Sequence, residues 1–109
     1  MIQFSISNYI VENRESEFHA KRIHCEDGFN ISVQAGQYMY CRPRRDEGPW
    51  THVECGYPSE RVKELMEWIE DEGNPTETVY PYVPVEVVEE LVRKHGGVKE
   101  VEATEGLKD

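Results

Sequence analysis

Residues 26–36 read EDGFNISVQAG. The pair Asp27-Gly28 supplies the left-handed backbone that a tight primed hairpin turn needs. After it, Phe29, Ile31, Val33 and Ala35 share one face of an extended chain, and Asn30, Ser32 and Gln34 share the other. A hairpin arm with one dry and one wet face needs neighbouring strands for its backbone and a covering layer for its apolar side.

The rest of the chain offers both. Ile2, Phe4 and Ile6 alternate with Gln3 and Ser5, which predicts a half-buried strand over 2–6 extending toward Val11. A second strand is expected over 17–25, leading into the hairpin turn. Gly36 breaks or bulges the chain ahead of QYMYC, a short aromatic strand at 37–41. RPRRDEGP at 42–49 must be a loop, because Pro43 and Pro49 cannot donate ladder hydrogen bonds and Gly48-Pro49 is a breaker pair. WTHVECGY at 50–57 resumes a strand. Its alternation puts Val53, Cys55 and Tyr57 on one face and Trp50, His52 and Glu54 on the other.

Two helices are predicted after that. Ser59 suits an N-cap and Glu60 the positive end of a helix. Val62, Leu65, Met66 and Ile69 then follow at i, i+3, i+4 and i+7, one apolar stripe that leaves Trp68 to one side. DEGNPT at 71–76 ends it. ETVYPYV reads as a short strand, and Pro81 places it at a sheet edge. Pro84 fits the first turn of a second helix with Val85, Val88, Leu91 and Val92 on its apolar side. Glu86, Glu89 and Glu90 come early and Arg93, Lys94 and His95 late, the order that complements the helix dipole. Glu89–Arg93 and Glu90–Lys94 are expected i, i+4 pairs, and Gly96-Gly97 a C-terminal cap.

Strands followed by helices define an α+β fold: an antiparallel sheet of about four to five strands with two amphipathic helices packed on one face. A chain of 109 residues fits a single domain. Residues 1–98 are expected to form it, with 99–109 a charged tail that frays.

Charge is divided unevenly. Residues 1–58 carry six Lys/Arg against eight Asp/Glu, a net of −2, and residues 59–109 carry six against fourteen, a net of −8. An acidic face repels the phosphate backbone, so direct nucleic-acid binding is not expected. It suits instead a partner protein with a basic surface. No apolar run approaches the length of a membrane span, and the N-terminus lacks the basic start and apolar block of a secretory signal. A reducing, cytoplasmic setting follows as an expectation, and the three cysteines are expected to be free thiols.

No established catalytic signature occurs, so the chain is expected not to be an enzyme and to need no cofactor. Cys25, Cys41, His52 and Cys55 are zinc-ligand types, but they form no CxxC knuckle, and His52 and Cys55, three apart, face opposite sides of a regular strand. Cys41 beside Arg42 raises a nucleophilic thiol, against the simpler reading of a buried strand cysteine. The glutamates recur on the outward faces of helices, where a solvated surface explains them. The distinctive segment is YCRPRRDEGPWTHVECGYPS, residues 40–59. Arg42, Arg44 and Arg45 offer planar forks for carboxylate or phosphate, and Tyr40, Trp50 and His52 stand beside them. Arg, Tyr and Trp are the types enriched at binding hot spots. The plain alternative is that these arginines pair with Asp46, Glu47 and the acidic helices.

The same segment, followed by TVYPYVPVEVVEELVRKHGG, resembles a group of small proteins encoded by bacteriophages and prophages. The shared pattern is aromatic-Cys-x-Pro-Arg, Gly-Pro-aromatic, Val-Glu-x-Gly-aromatic-Pro-Ser and a closing helix ending His-Gly-Gly, over roughly residues 30–98. Cys41, Pro43, Arg44, Gly48, Pro49, Val53, Glu54, Gly56, Pro58, Ser59, His95 and Gly96 carry it. The group brings no catalytic role with it. The resemblance implies a phage or prophage origin and action in the cytoplasm of a bacterial host. Many small acidic phage proteins work by binding a host protein, in some cases a defence or nucleic-acid-handling factor. The expected function is therefore non-enzymatic binding of a host protein. A small-molecule or nucleotide binder using the Arg–aromatic loop is the second reading, and a zinc-stabilised domain the third. An edge such as TVYPY would support a homodimer, though nothing in the sequence requires one.

Overall fold

The computed structural model describes residues 4–16 and 19–99. Helix α1 (Ile6–Glu12) comes first, then strands β1 (Ile23–His24), β2 (Asn30–Gln34) and β3 (His52–Gly56). A 3-10 helix (Lys63–Trp68), strand β4 (Val79–Pro84) and helix α2 (Val85–Lys94) complete the order. The strands form one antiparallel sheet in the order β1-β2-β3-β4. The α+β class expected from the sequence is the fold observed.

The hairpin forms at Asp27-Gly28, but not through a primed turn: Gly28 N–H donates to Cys25 O at 3.0 Å and Cys25 N–H to Phe29 O at 2.8 Å, a three-residue loop in which Gly28 alone has positive φ, 101°, and Ile23 pairs with Ile31 across it. Facing residues of neighbouring strands share a side of the sheet. Ile23 faces Ile31, Val33 faces Cys55, Val53 faces Val83 and Cys55 faces Tyr80, and all seven are fully buried. The helices cover this side: Ile6 and Ile10 from α1, and Val88, Leu91 and Val92 from α2, join it in one core with Val62 and Leu65. The opposite side stays polar, with Asn30, Ser32, His52 and Glu54 only partly covered.

α1 corrects the expected N-terminal strand. Residues 2 and 3 lie outside the described residues; Ser5 is extended and caps a helix that runs from Ile6 to Glu12. Ser5 Oγ accepts the Asn8 amide at 3.2 Å, and Ile6 and Ile10, four apart, turn the same way into the core. The Ile6 N–H, an unpaired donor at the helix start, donates to Glu89 Oε2 of α2 at 3.0 Å.

The helix expected from Ser59 is also shorter than predicted. Ser59 does not cap it: its N–H donates to Asn30 O at 2.8 Å and its Oγ accepts the Asn30 amide at 3.0 Å. Glu70 N–H in turn donates to Val79 O at 3.1 Å. Tied at both ends, the segment has room for one short 3-10 run. Val62 and Leu65 still point into the core, while Met66, Trp68 and Ile69 are half-buried.

The predicted strand at 17–25 reduces to Ile23–His24, with residues 17 and 18 outside the described residues. QYMYC is not a strand: Met39 N–H bonds to Gly36 O at 3.0 Å, and the chain bends through Tyr38 and Tyr40. α2 ends on Gly96 and Gly97 at φ 95° and 88°, the cap read from the sequence. Its expected i, i+4 ion pairs are replaced. Arg93 pairs with Glu90, Lys94 reaches Glu64 on the 3-10 helix at 2.5 Å, and Glu89 is taken by Ile6. No helix among the described residues is long and apolar enough to cross a membrane.

Candidate recognition face

The loop between β2 and β3 is held at several points. Asp46 accepts the backbone and side-chain N–H groups of Gln37 at 2.9 and 2.7 Å, and these bonds hold its carboxyl below its ordinary range. Arg14 Nη2 donates to the Asp46 carbonyl at 3.1 Å. Trp50 fills the space beneath. Only 2% of it is exposed, its indole N–H donates to Arg45 O at 3.0 Å, and the Arg14 guanidinium lies 5.8 Å from its ring centre. Trp50 therefore leaves the set of residues that a partner could touch. Strand alternation placed it beside His52, but it precedes the start of β3 at His52 and turns inward.

Above this anchor the loop returns to the sheet. Arg42 bridges to His52: its N–H donates to His52 O at 3.0 Å, and its carbonyl accepts Thr51 N–H at 2.8 Å. Across β3, the pairing of Val53 with Val83 and of Cys55 with Tyr80 gives β4 two residues where β3 has one. This bulge contains Tyr82, whose backbone is left-handed at φ 56° and whose N–H donates to Tyr40 O at 3.1 Å. Glu54 Oε1 accepts the Tyr40 N–H at 2.9 Å. One backbone bond and one to the Glu54 side chain thus fix Tyr40 beside Tyr82.

The outcome is a row of four side chains. The Arg42 guanidinium carbon is 4.8 Å from the Tyr82 ring centre, the Tyr82 and Tyr40 rings are 5.8 Å apart, and the Arg44 guanidinium carbon is 5.7 Å from Tyr40. Each cation–π contact at such an exposed site contributes about 0.5–1 kcal/mol. A guanidinium lying over an aromatic ring keeps N–H groups that can still donate to a partner.

No acid among the described residues forms an ion pair with the arginines of this loop. Among the described residues, side-chain ion pairs within 4.0 Å join Arg93 to Glu90, Lys94 to Glu64 and His95 to Asp27. None involves Arg42, Arg44 or Arg45. Asp46 is committed to Gln37, and Arg45 Nε donates to the backbone carbonyl of Glu47 at 3.3 Å.

Of the six residues singled out from the sequence, Tyr40, Arg42 and Arg44 come together. Arg45 closes the loop, and Trp50 supports it from inside. His52 lies half-buried, joined to Arg42 through the backbone, with its ring Nδ1 2.8 Å from Thr51 Oγ1. Sequence reasoning missed Tyr82. Its one local signal was an aromatic residue directly after Pro81 in an edge strand.

The remaining chemistry of this region is muted. All three cysteines are buried. Burial, with Asp27 nearby, pushes the Cys25 thiol up to about 11; burial also raises Cys41, and burial with Glu54 raises Cys55 further. Thiols held in this direction are poor nucleophiles near neutral pH. Cys25, Cys41, His52 and Cys55 do not converge, and among the described residues no three His, Cys, Asp or Glu side chains are grouped to hold a metal ion. Compared with protein-family models, curated proteins and solved structures, the chain gives no match.

Proposed function

We propose that this chain is a non-enzymatic binding protein that docks on another protein through the row Arg42–Tyr82–Tyr40–Arg44. One observation carries the reading. In a chain of net charge −10, two exposed guanidiniums lie over tyrosine rings with no carboxylate of the described residues within 4.0 Å. Held this way, the forks have already given up part of their rotamer freedom, which lowers the entropy cost of meeting a partner. Arg and Tyr are also the side chains that concentrate binding energy at protein interfaces. The fitting contact is a segment bearing carboxylates beside apolar or aromatic surface.

The resemblance to phage-encoded proteins makes a bacterial host protein the natural partner, a defence or nucleic-acid-handling factor among the candidates. A nucleotide would use the same donors and rings, so the two readings are separated by competition. The test is capture from a bacterial lysate at low salt with the wild-type chain and with R42A/R44A. A protein retained by the first and not the second, and not displaced by millimolar nucleotide, is the expected result. No specific protein retained, or capture abolished by nucleotide, sinks it.

A further inference from the structure

The acidic half of the chain forms a second surface that shares no lining residue with the Arg–Tyr row. A cleft of about 410 Å³ is lined by Glu86, Val87, Glu90, Leu91 and Lys94 of α2 and by Glu64 of the 3-10 helix. Its floor is apolar, supplied by Val87 and Leu91, and this volume falls in the range of about 300–1,000 Å³ typical of ligand-sized clefts. Its rim carries three carboxylates against one ammonium. Lys94 is committed to Glu64 at 2.5 Å and Glu90 pairs with Arg93, while Glu86 is exposed and makes no ion pair among the described residues.

We propose that this cleft is a docking groove for a basic amphipathic helix of a partner protein. Charge complementarity selects the basic side: with Glu64 paired to Lys94 and Glu90 to Arg93, the rim keeps Glu86 as an unneutralised carboxylate. The apolar floor selects an apolar anchor, since a purely charged segment would leave Val87 and Leu91 wet. The helical form follows from the groove's own backbone. Beyond its first turn α2 bonds its peptide groups within the helix, and it offers no edge for an added strand, so the occupant must satisfy its own. From Glu86 to Lys94 the groove runs roughly 12 Å along α2, about two turns of a facing helix, which matches anchors at i, i+3 or i+4, and i+7.

The probe is a fluorescently labelled Lys/Leu peptide of about four turns with its leucines on one face. The control has the same composition with leucines scattered around the helix. Anisotropy titration is expected to show the amphipathic peptide binding at least tenfold tighter than the control. E86Q/E90Q, two changes at outward positions, is expected to weaken it about tenfold, and V87D to do the same. R42A/R44A is expected to leave it unchanged, which separates this groove from the Arg–Tyr row. Equal affinity for the two peptides would mean attraction to bulk charge and would overturn the proposal. So would full affinity in E86Q/E90Q with unchanged circular dichroism. A wild-type dimer in sedimentation that V87D dissolves would also overturn it, because the groove would then serve a second copy.

Discussion

Replacing Trp50 by alanine should cost stability heavily, although Trp50 lies in the same loop as the exposed arginines. The magnitude follows from its surroundings. The side chain is 2% exposed, and deletion of a buried aromatic costs about 3–5 kcal/mol. Within that figure fall the indole bond to Arg45 O at 3.0 Å, about 1 kcal/mol net, and the stacked Arg14, another 0.5–1 kcal/mol or so. Domains of this size have roughly 5–15 kcal/mol in total, so W50A should lose about a fifth of it or more. Urea unfolding followed by far-ultraviolet circular dichroism is the assay. With a slope of about 1–3 kcal/mol/M, the midpoint should fall by roughly 2 M. W50F keeps most of the apolar volume but abandons the Arg45 carbonyl, and should cost about 1–3 kcal/mol. R42A/R44A should stay within about 1–2 kcal/mol of wild type, since it removes only exposed stacking. A W50A midpoint equal to that of the wild type would refute the reasoning and return Trp50 to the surface.

Two further outcomes follow from the same geometry. A methyl group on Gly48 would lie 2.9 Å from a ring carbon of buried Trp50, so G48A should destabilise by about 1–3 kcal/mol in the same urea assay. Asp27 accepts the Phe29 amide at 3.0 Å and holds the His95 ring at 2.7 Å, and the amide bond first, then His95, keeps its carboxyl below the ordinary value. A carboxyl depressed in the folded state stabilises above its unfolded pKa, near 4, and that contribution is lost as pH falls through the folded value. D27N should therefore unfold at lower urea than wild type at pH 6, with the gap closing as pH is lowered below about 4.

The parts of the fold legible in the sequence are those decided by near neighbours. Asp27-Gly28 makes its turn locally, and Phe29, Ile31, Val33 and Ala35 are all buried as their alternation requires. α2 carries its own proline start, apolar stripe and double-glycine stop. What escaped was decided at long range. Ile2, Phe4 and Ile6 suggest a strand while Ile6 and Ile10 suggest a helix, and Glu89, 83 residues away, supplies the partner for the Ile6 N–H. Ser59 has the chemistry of a cap but meets Asn30, 29 residues earlier.

The site divides in the same way. Arg42, Arg44 and Tyr40 were conspicuous as residue types close in sequence. That the arginines stay unpaired among the described residues depends on Gln37 occupying Asp46 and on the loop's path back to β3. Tyr82 enters only because the bulge opposite β3 turns it toward Arg42. No periodicity encodes that contact. Trp50 was misplaced by extending the strand's alternation two residues beyond its first paired position.

The most direct test of recognition by Arg42 and Arg44 keeps their charge and removes their shape. R42K/R44K preserves two cations at the same positions but loses the planar forks that stack on Tyr82 and Tyr40. Capture from bacterial lysate should be quantified by mass spectrometry for the wild type, R42A/R44A and R42K/R44K, each checked to be folded by a cooperative urea transition. The expected result is a partner enriched by the wild type and reduced at least tenfold with both variants. Full enrichment with R42K/R44K would show that charge alone suffices, and full enrichment with R42A/R44A would remove the row from recognition altogether.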